Sequence, residues 1–138
     1  MLSITINNLI SDLKPRHKEV ISGRYGLMGN KRETLAELGE KYGITRERVR
    51  QIEAEALKKI SEEAKKERLN EIAGKVFSHL KKNGGIRREN ILVEELRNLL
   101  KDEDLHSWHL KFTSEIAGGL YFHPEDEDFH SFWYSNQG

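Results

Sequence analysis

Apolar residues recur along most of the chain at intervals of three and four, the pattern of helices that bury one face. Leu9 and Leu13, then Val20 and Ile21, predict two short helices broken near Pro15, whose ring suits a first helical turn. Gly26 after Tyr25 is a left-handed stop, and Met28–Glu33 reads as a polar loop. Thr34–Tyr42 predicts a helix in which Thr34 caps and Glu37, three residues on, completes a capping box. Gly43 ends it. Thr45 then caps a long helix with the apolar stripe Val49, Ile52, Ala56, Ile60. Further helices are predicted over Arg68–Lys82, Val93–Lys101 and Trp108–Ala117, with turns at Gly84-Gly85 and Gly118-Gly119. The tail changes period. Leu120–His123 and Phe129–Tyr134 are aromatic-rich and flank the acidic turn Pro124–Asp128, as in a β-hairpin.

Composition narrows the class. The 138 residues fit one ordinary domain or two small ones, and the absence of Cys excludes disulfides and Cys-based zinc sites. No apolar run reaches the roughly 20 residues of a transmembrane helix, and the N-terminus lacks a secretory pattern. A cytoplasmic protein with no membrane partner is the expectation. The net charge of +0 argues at first against nucleic acid, yet it conceals an asymmetry. Residues 1–66 carry 14 Lys/Arg against 10 Asp/Glu, and residues 67–138 carry 9 against 13. A +4 segment is therefore followed by a −4 segment, joined by the charged run Ile60–Arg68 with no Pro/Gly linker. We read two units, 1–66 and 67–138.

Leu35–Ile52 has the spacing of a helix-turn-helix. Leu35, Leu38, Val49 and Ile52 face inward, Gly39 lies where the helices cross, Gly43 makes the turn and Ile44 plugs its corner. Arg46, Glu47, Arg50 and Gln51 then share the opposite face of the second helix, where a recognition helix meets the major groove. Arg can fork onto guanine, Glu can accept from cytosine and Gln can pair with adenine. A Glu among arginines repels phosphate, so its use would be in reading bases. The competing reading is a surface helix with internal Arg/Glu pairs.

Three motifs sharpen this: Arg24-Tyr25-Gly26-Leu27, Thr34-Leu35, and TRERVRQIEAEALKKI over Thr45–Ile60. With them, Ile4–Ile60 resembles the fourth conserved region of primary-type bacterial sigma factors. The resemblance implies double-stranded promoter DNA as a partner, read at the upstream, minus-thirty-five type element. It also implies docking on RNA polymerase core at the flap of the β subunit. By motif match it makes Arg46, Glu47 and Gln51 base readers and Arg50 a base or phosphate contact. Lys31, Arg32, Thr45 and Arg48 are placed as phosphate contacts, with a solvated surface position as the alternative for the three cations. For Arg24, at a helix end beside Gly26, capping competes with phosphate binding. The earlier sigma regions have no room here, so the chain is either a piece of something larger or a protein that borrows the promoter-binding module.

The second segment does not match sigma factors. Its order of helices and closing hairpin resembles a winged helix, distantly of the RNA polymerase delta-subunit type. The expected core is Ile72, Val76, Phe77, Leu80, Leu96, Leu99, Leu100 and Ile116, with Trp108, Phe112, Phe122, Phe132 and Trp133 as core aromatics rather than a base-stacking platform. The wing, Glu125–Asp128, would repel phosphate, which favours a protein-binding or regulatory role and allows contact between the two segments. His106, His109, His123 and His130 invite a metal reading, but His-x-x-His spacing alone is weak, and no metal or cofactor is expected. No catalytic motif is present.

The fold class expected is therefore mainly α, a helix-turn-helix domain followed by a small α+β winged-helix-like domain. The function expected is non-enzymatic, sequence-specific DNA binding in transcription. The alternatives are a polymerase- or sigma-interacting module with little DNA binding, or a DNA-targeting piece of a larger protein.

Overall fold

The computed structural model describes residues 2–27, 31–66 and 69–135. The chain is mainly helical, with one small sheet. In order it forms α1 (Leu2–Ser11), α2 (Pro15–Tyr25), α3 (Leu35–Tyr42), α4 (Arg46–Lys66), α5 (Leu69–Lys82), β1 (Ile86–Arg88), α6 (Glu89–Leu100), α7 (Ser107–Ala117), β2 (Leu120–His123) and β3 (Phe132–Ser135). The helix-turn-helix is α3–α4. The second segment has the element order and the antiparallel sheet, β1-β3-β2, of a winged helix.

Local signals set the element ends as the sequence predicts. Pro15 opens α2, and Gly26, at φ +60, closes it. Thr34 Oγ1 accepts the Glu37 N–H at 3.0 Å while Glu37 Oε1 accepts the Thr34 N–H at 3.1 Å, closing the capping box of α3. Residues 28–30 of the expected polar loop, and Arg68 at the expected start of α5, lie outside the described residues.

Two cores result. The smaller holds Val20, Leu38, Val49 and Ile52, with Leu35, Tyr42 and Ile44 packed against it, so α2, α3 and α4 share it. The larger joins α1 and the later part of α4 to the winged-helix elements, from Leu2, Ile6 and Ile60 to Phe112 and Trp133. Its members come from both sides of position 66. A buried carboxylate reinforces the junction: Asp102 accepts the Ser3 N–H at 2.8 Å and the Ser3 hydroxyl at 2.5 Å, at the positive end of α1.

Several expectations need correction. α1 begins at Leu2, well before Leu9. α6 begins at Glu89 rather than Val93. β1, which follows the expected Gly84-Gly85 turn and was not expected from the sequence, pairs Ile86 with Tyr134 and Arg88 with Phe132. The second hairpin strand starts at Phe132, not Phe129, because Asp126 Oδ1 accepts the N–H groups of Asp128 and Phe129 and holds them in a turn. Leu99, expected in the core, is 51% exposed: it lies at the edge of the α6 stripe Leu92, Val93, Leu96, and no described residue covers it. Of the core aromatics, Phe112 and Trp133 are fully buried, whereas Trp108 and Phe122 are half-buried against the core. Phe132 is half-buried and stacks on His123.

Candidate nucleic-acid interface

The α3–α4 corner is built by sterics. Gly43, at φ +68, supplies the left-handed residue that ends α3 and turns the chain. A Cβ at Gly39 would stand 2.7 Å from the Ile44 carbonyl oxygen, so only glycine lets the turn fold back on α3. The sequence placed Gly39 at a helix crossing; the close neighbour is the backbone of the turn itself. Gly23 of α2 plays a similar part, since a Cβ there would meet the Leu38 side chain at 2.7 Å.

With Val49 and Ile52 buried beneath, the first two turns of α4 present their other side to solvent. Arg46, Glu47, Arg48, Arg50 and Gln51 are all exposed. A helical wheel puts Arg46, Arg50, Glu47 and Gln51 in one sector, and Arg48 at its margin beside Ile52. Within that sector Arg50 donates to both Glu47 oxygens, through Nε at 3.0 Å and a terminal nitrogen at 2.5 Å. The pair holds the Glu47 carboxyl below its usual range and raises the Arg50 guanidinium, in each case mainly through the shared hydrogen bond. Both groups are thus charged and aligned at the surface. Arg48, at the margin, reaches Gln51 at 3.4 Å and Glu55 at 3.8 Å.

The expected phosphate-contacting residues fall at two places. Thr45 Oγ1 accepts the Arg48 N–H at 3.1 Å and caps α4, leaving Thr45 exposed beside Arg46. Lys31 and Arg32 are exposed in the extended segment before α3. Arg32 donates to the Arg24 carbonyl at 3.0 Å, lies 5.7 Å over the Tyr25 ring and approaches Glu115 of α7 at 3.9 Å.

One structural role was not foreseen. Arg24 is half-buried and donates to Glu53 of α4 at 2.7 Å and to the Glu33 carbonyl at 3.2 Å. It ties the end of α2 and the segment before α3 to the recognition helix, so its guanidinium orients the unit from behind. Glu53 was the missing signal: it sits on the α4 face turned toward α2, one position beyond the buried Ile52. Burial, together with the nearby Glu53 and Glu115 carboxylates, also pushes the Tyr25 hydroxyl up to about 12.

The winged-helix unit presents a different surface. Of the eleven residues of α7, Glu115 alone is exposed. Phe112 meets the Tyr25 ring edge-on at 6.2 Å, and α7 touches both α1 and α4. The four histidines are engaged separately. His109 Nδ1 accepts the His106 N–H at 2.9 Å, His123 pairs with Asp126 at 2.8 Å and His130 with Glu125 at 3.3 Å. Among the described residues no helix is long and apolar enough to cross a membrane.

These features define a helix-turn-helix unit whose second helix is open along its N-terminal half. Residues 9–62 match the family described as Sigma-70, region 4, and that segment of the chain is a region 4 unit. The matching relatives are RNA polymerase sigma factors. That of Microcystis aeruginosa, SigA, is 43% identical over 60 residues, which is 44% of this chain and 14% of the relative. SigA of Clostridium acetobutylicum is 37% identical over 71 residues, 51% of this chain and 19% of the relative. The chloroplastic sigF of Arabidopsis thaliana is 40% identical over 57 residues, 41% of this chain and 10% of the relative. The chain thus spans less than a fifth of the length of each of these sigma factors.

Proposed function

We propose that the chain is a non-enzymatic, sequence-specific DNA-binding protein of transcription that lays α4 in the major groove of a promoter element of the minus-thirty-five type. The observation that carries this reading is the open face of α4, with Arg46, Glu47, Arg50 and Gln51 in one exposed sector above buried Val49 and Ile52. Those side chains put donors and acceptors on one face of the helix, and the aligned Glu47–Arg50 pair offers both kinds in one place. Lys31, Arg32, Thr45 and Arg48 would bind flanking phosphates. RNA polymerase core, through its β flap, is the proposed protein partner, by likeness to the sigma factors that region 4 belongs to.

The test is selection of bound duplexes by the intact chain, followed by Arg46→Ala. We expect one enriched element and a loss of about 1–3 kcal/mol confined to one base-pair position. An equal loss on every sequence would remove Arg46 as a base reader. A second reading, a polymerase-binding regulatory module, is favoured by the exposed acidic loop of the hairpin. It predicts that the intact chain still retains polymerase core after Arg46, Arg50 and Gln51 are all replaced by Ala.

A further inference from the structure

Away from the α4 face, the outer side of α5 and the end of α6 enclose an open groove of about 820 Å³. Its floor is apolar: Ile72 from α5, with Leu99 and Leu100 from the last turn of α6. Leu99 is half exposed there. The rim is cationic. Lys75 and Lys82 stand on the same side of α5, seven residues and so about 10 Å apart, and Lys101 closes the far wall at the α6 C-cap. Among the described residues none of the three lysine ammonium groups forms an ion pair or a hydrogen bond. They lie in the half of the chain whose net charge is −4, so the groove is a local reversal of sign.

A second observation is independent of charge. Gly74 lies mid-helix in α5 and lines the groove, and a Cβ added there would meet nothing within 4 Å. Glycine is the poorest helix former after proline, and among the described residues nothing near that position requires one. A missing side chain over an open apolar floor lets an outside backbone come close.

We infer that this groove is the docking site for an acidic amphipathic helix of another protein. The lining runs along α5 from Glu71 to Lys82, about 16 Å, or three helical turns. A helix of that length would set leucine-like anchors at i, i+3 or i+4, and i+7 on Ile72, Leu99 and Leu100, pass its backbone over Gly74 and direct carboxylates to the lysines. Nucleic acid fits less well, because its phosphates would lie over an apolar floor with Glu71 at one end.

The probe is a displayed library of twelve-residue helical peptides, with Leu fixed at the anchor positions and Glu, Lys, Gln or Ser at the flanks, selected on the intact chain. Glu should be enriched at the flanks, and selected clones should bind at least about tenfold more weakly to Gly74→Leu, which fills the groove while improving the helix. The double variant Lys75→Glu/Lys82→Glu should lose the acidic clones and gain Lys-flanked ones. Binding to duplex DNA should be unchanged in both variants. Absence of enrichment, enrichment of Lys on the wild-type chain, binding of the selected clones to either variant as tight as to the wild type, or displacement of the peptides by duplex DNA would overturn the assignment.

Discussion

Helices α4 and α7 occupy equivalent places in two related motifs, each being the second helix of a helix–turn–helix pair, yet they end in opposite environments. On α4, five of the first six residues are exposed and only Val49 points inward. On α7, His109, Leu110, Phe112 and Thr113 are buried and a single exposed residue, Glu115, is an acid. The difference comes from what lies on the outer face. Among the described residues nothing packs over the start of α4, whereas α1 and Tyr25 are packed against α7. A helix–turn–helix arrangement therefore does not by itself make a reader. The same shape serves as an internal strut when another unit covers it, and the acidic loop of the neighbouring hairpin reinforces that assignment.

If α7 is a strut, removing its bulk should destabilise the fold more than any substitution on the exposed faces. Phe112 is fully buried and belongs to the core shared by the two segments. Phe112→Ala should cost about 3–5 kcal/mol of stability. Denaturant unfolding should show α1 and the sheet melting together. Loss of the winged-helix signal with α1 left intact would break the picture of a common core.

His109 tests the same strut by pH. Its ring is buried, and that burial pushes its pKa down to about 4. Nδ1 already accepts the His106 N–H, so a proton there would break a cap. The unfolded chain takes up this proton near pH 6.5, and the folded chain only near pH 4. This contribution is therefore complete above about pH 6.5 and is lost as pH falls toward 4, to a total on the order of 3 kcal/mol. Urea unfolding of the wild type and His109→Gln at pH 7, 5.5 and 4.5 should show a steeper decline in the wild type. Parallel declines would mean that His109 protonates freely in the fold.

On the binding side, the contrast predicts unequal substitutions. Arg50→Ala on α4 should weaken selected DNA by about 1–3 kcal/mol and relax one position. Lys111→Ala on α7, where the ammonium sits 4.5 Å over the Phe122 ring, should leave base preference untouched. A shift in preference from Lys111→Ala would make α7 a second reader.

The α4 side of this contrast was legible in the sequence because its causes are local. Thr34 and Glu37 are three residues apart, Gly43 needs only its own φ, and Val49 and Ile52 are fixed by helical period. The α7 side was legible in outline, as helices and aromatic strands, but not in its use. β1 is three residues long and exists by pairing with β3, some forty-five residues later. The start of α1 depends on Asp102, 99 residues away. For Arg24 the sequence left capping and phosphate binding open, and the pairing with Glu53, 29 residues on, was not legible. Each of these depends on a distant partner, which periodicity cannot supply.

The smallest effect bears on whether the strut also restrains the reader. Glu115, the one exposed side chain of α7, stands 3.9 Å from Arg32, a proposed phosphate contact. Both groups are largely exposed, so the pair itself is worth little. Truncation after residue 66 cannot isolate it, because that would strip the core from Leu2 and Ile6. Glu115→Gln keeps the shape and removes one negative charge beside the proposed phosphate contact Arg32. Binding at low salt should tighten by up to about threefold and the gain should fade as salt rises, since an exposed charge is screened beyond about 10 Å at 0.1 M. If Arg32 is thereby freed to meet a phosphate, the slope of log affinity against log salt should steepen by up to about one ion. An unchanged slope with unchanged affinity would show that the acidic half leaves the α4 side alone, and that the opposed charges of the two segments are a division of surface rather than a mutual restraint.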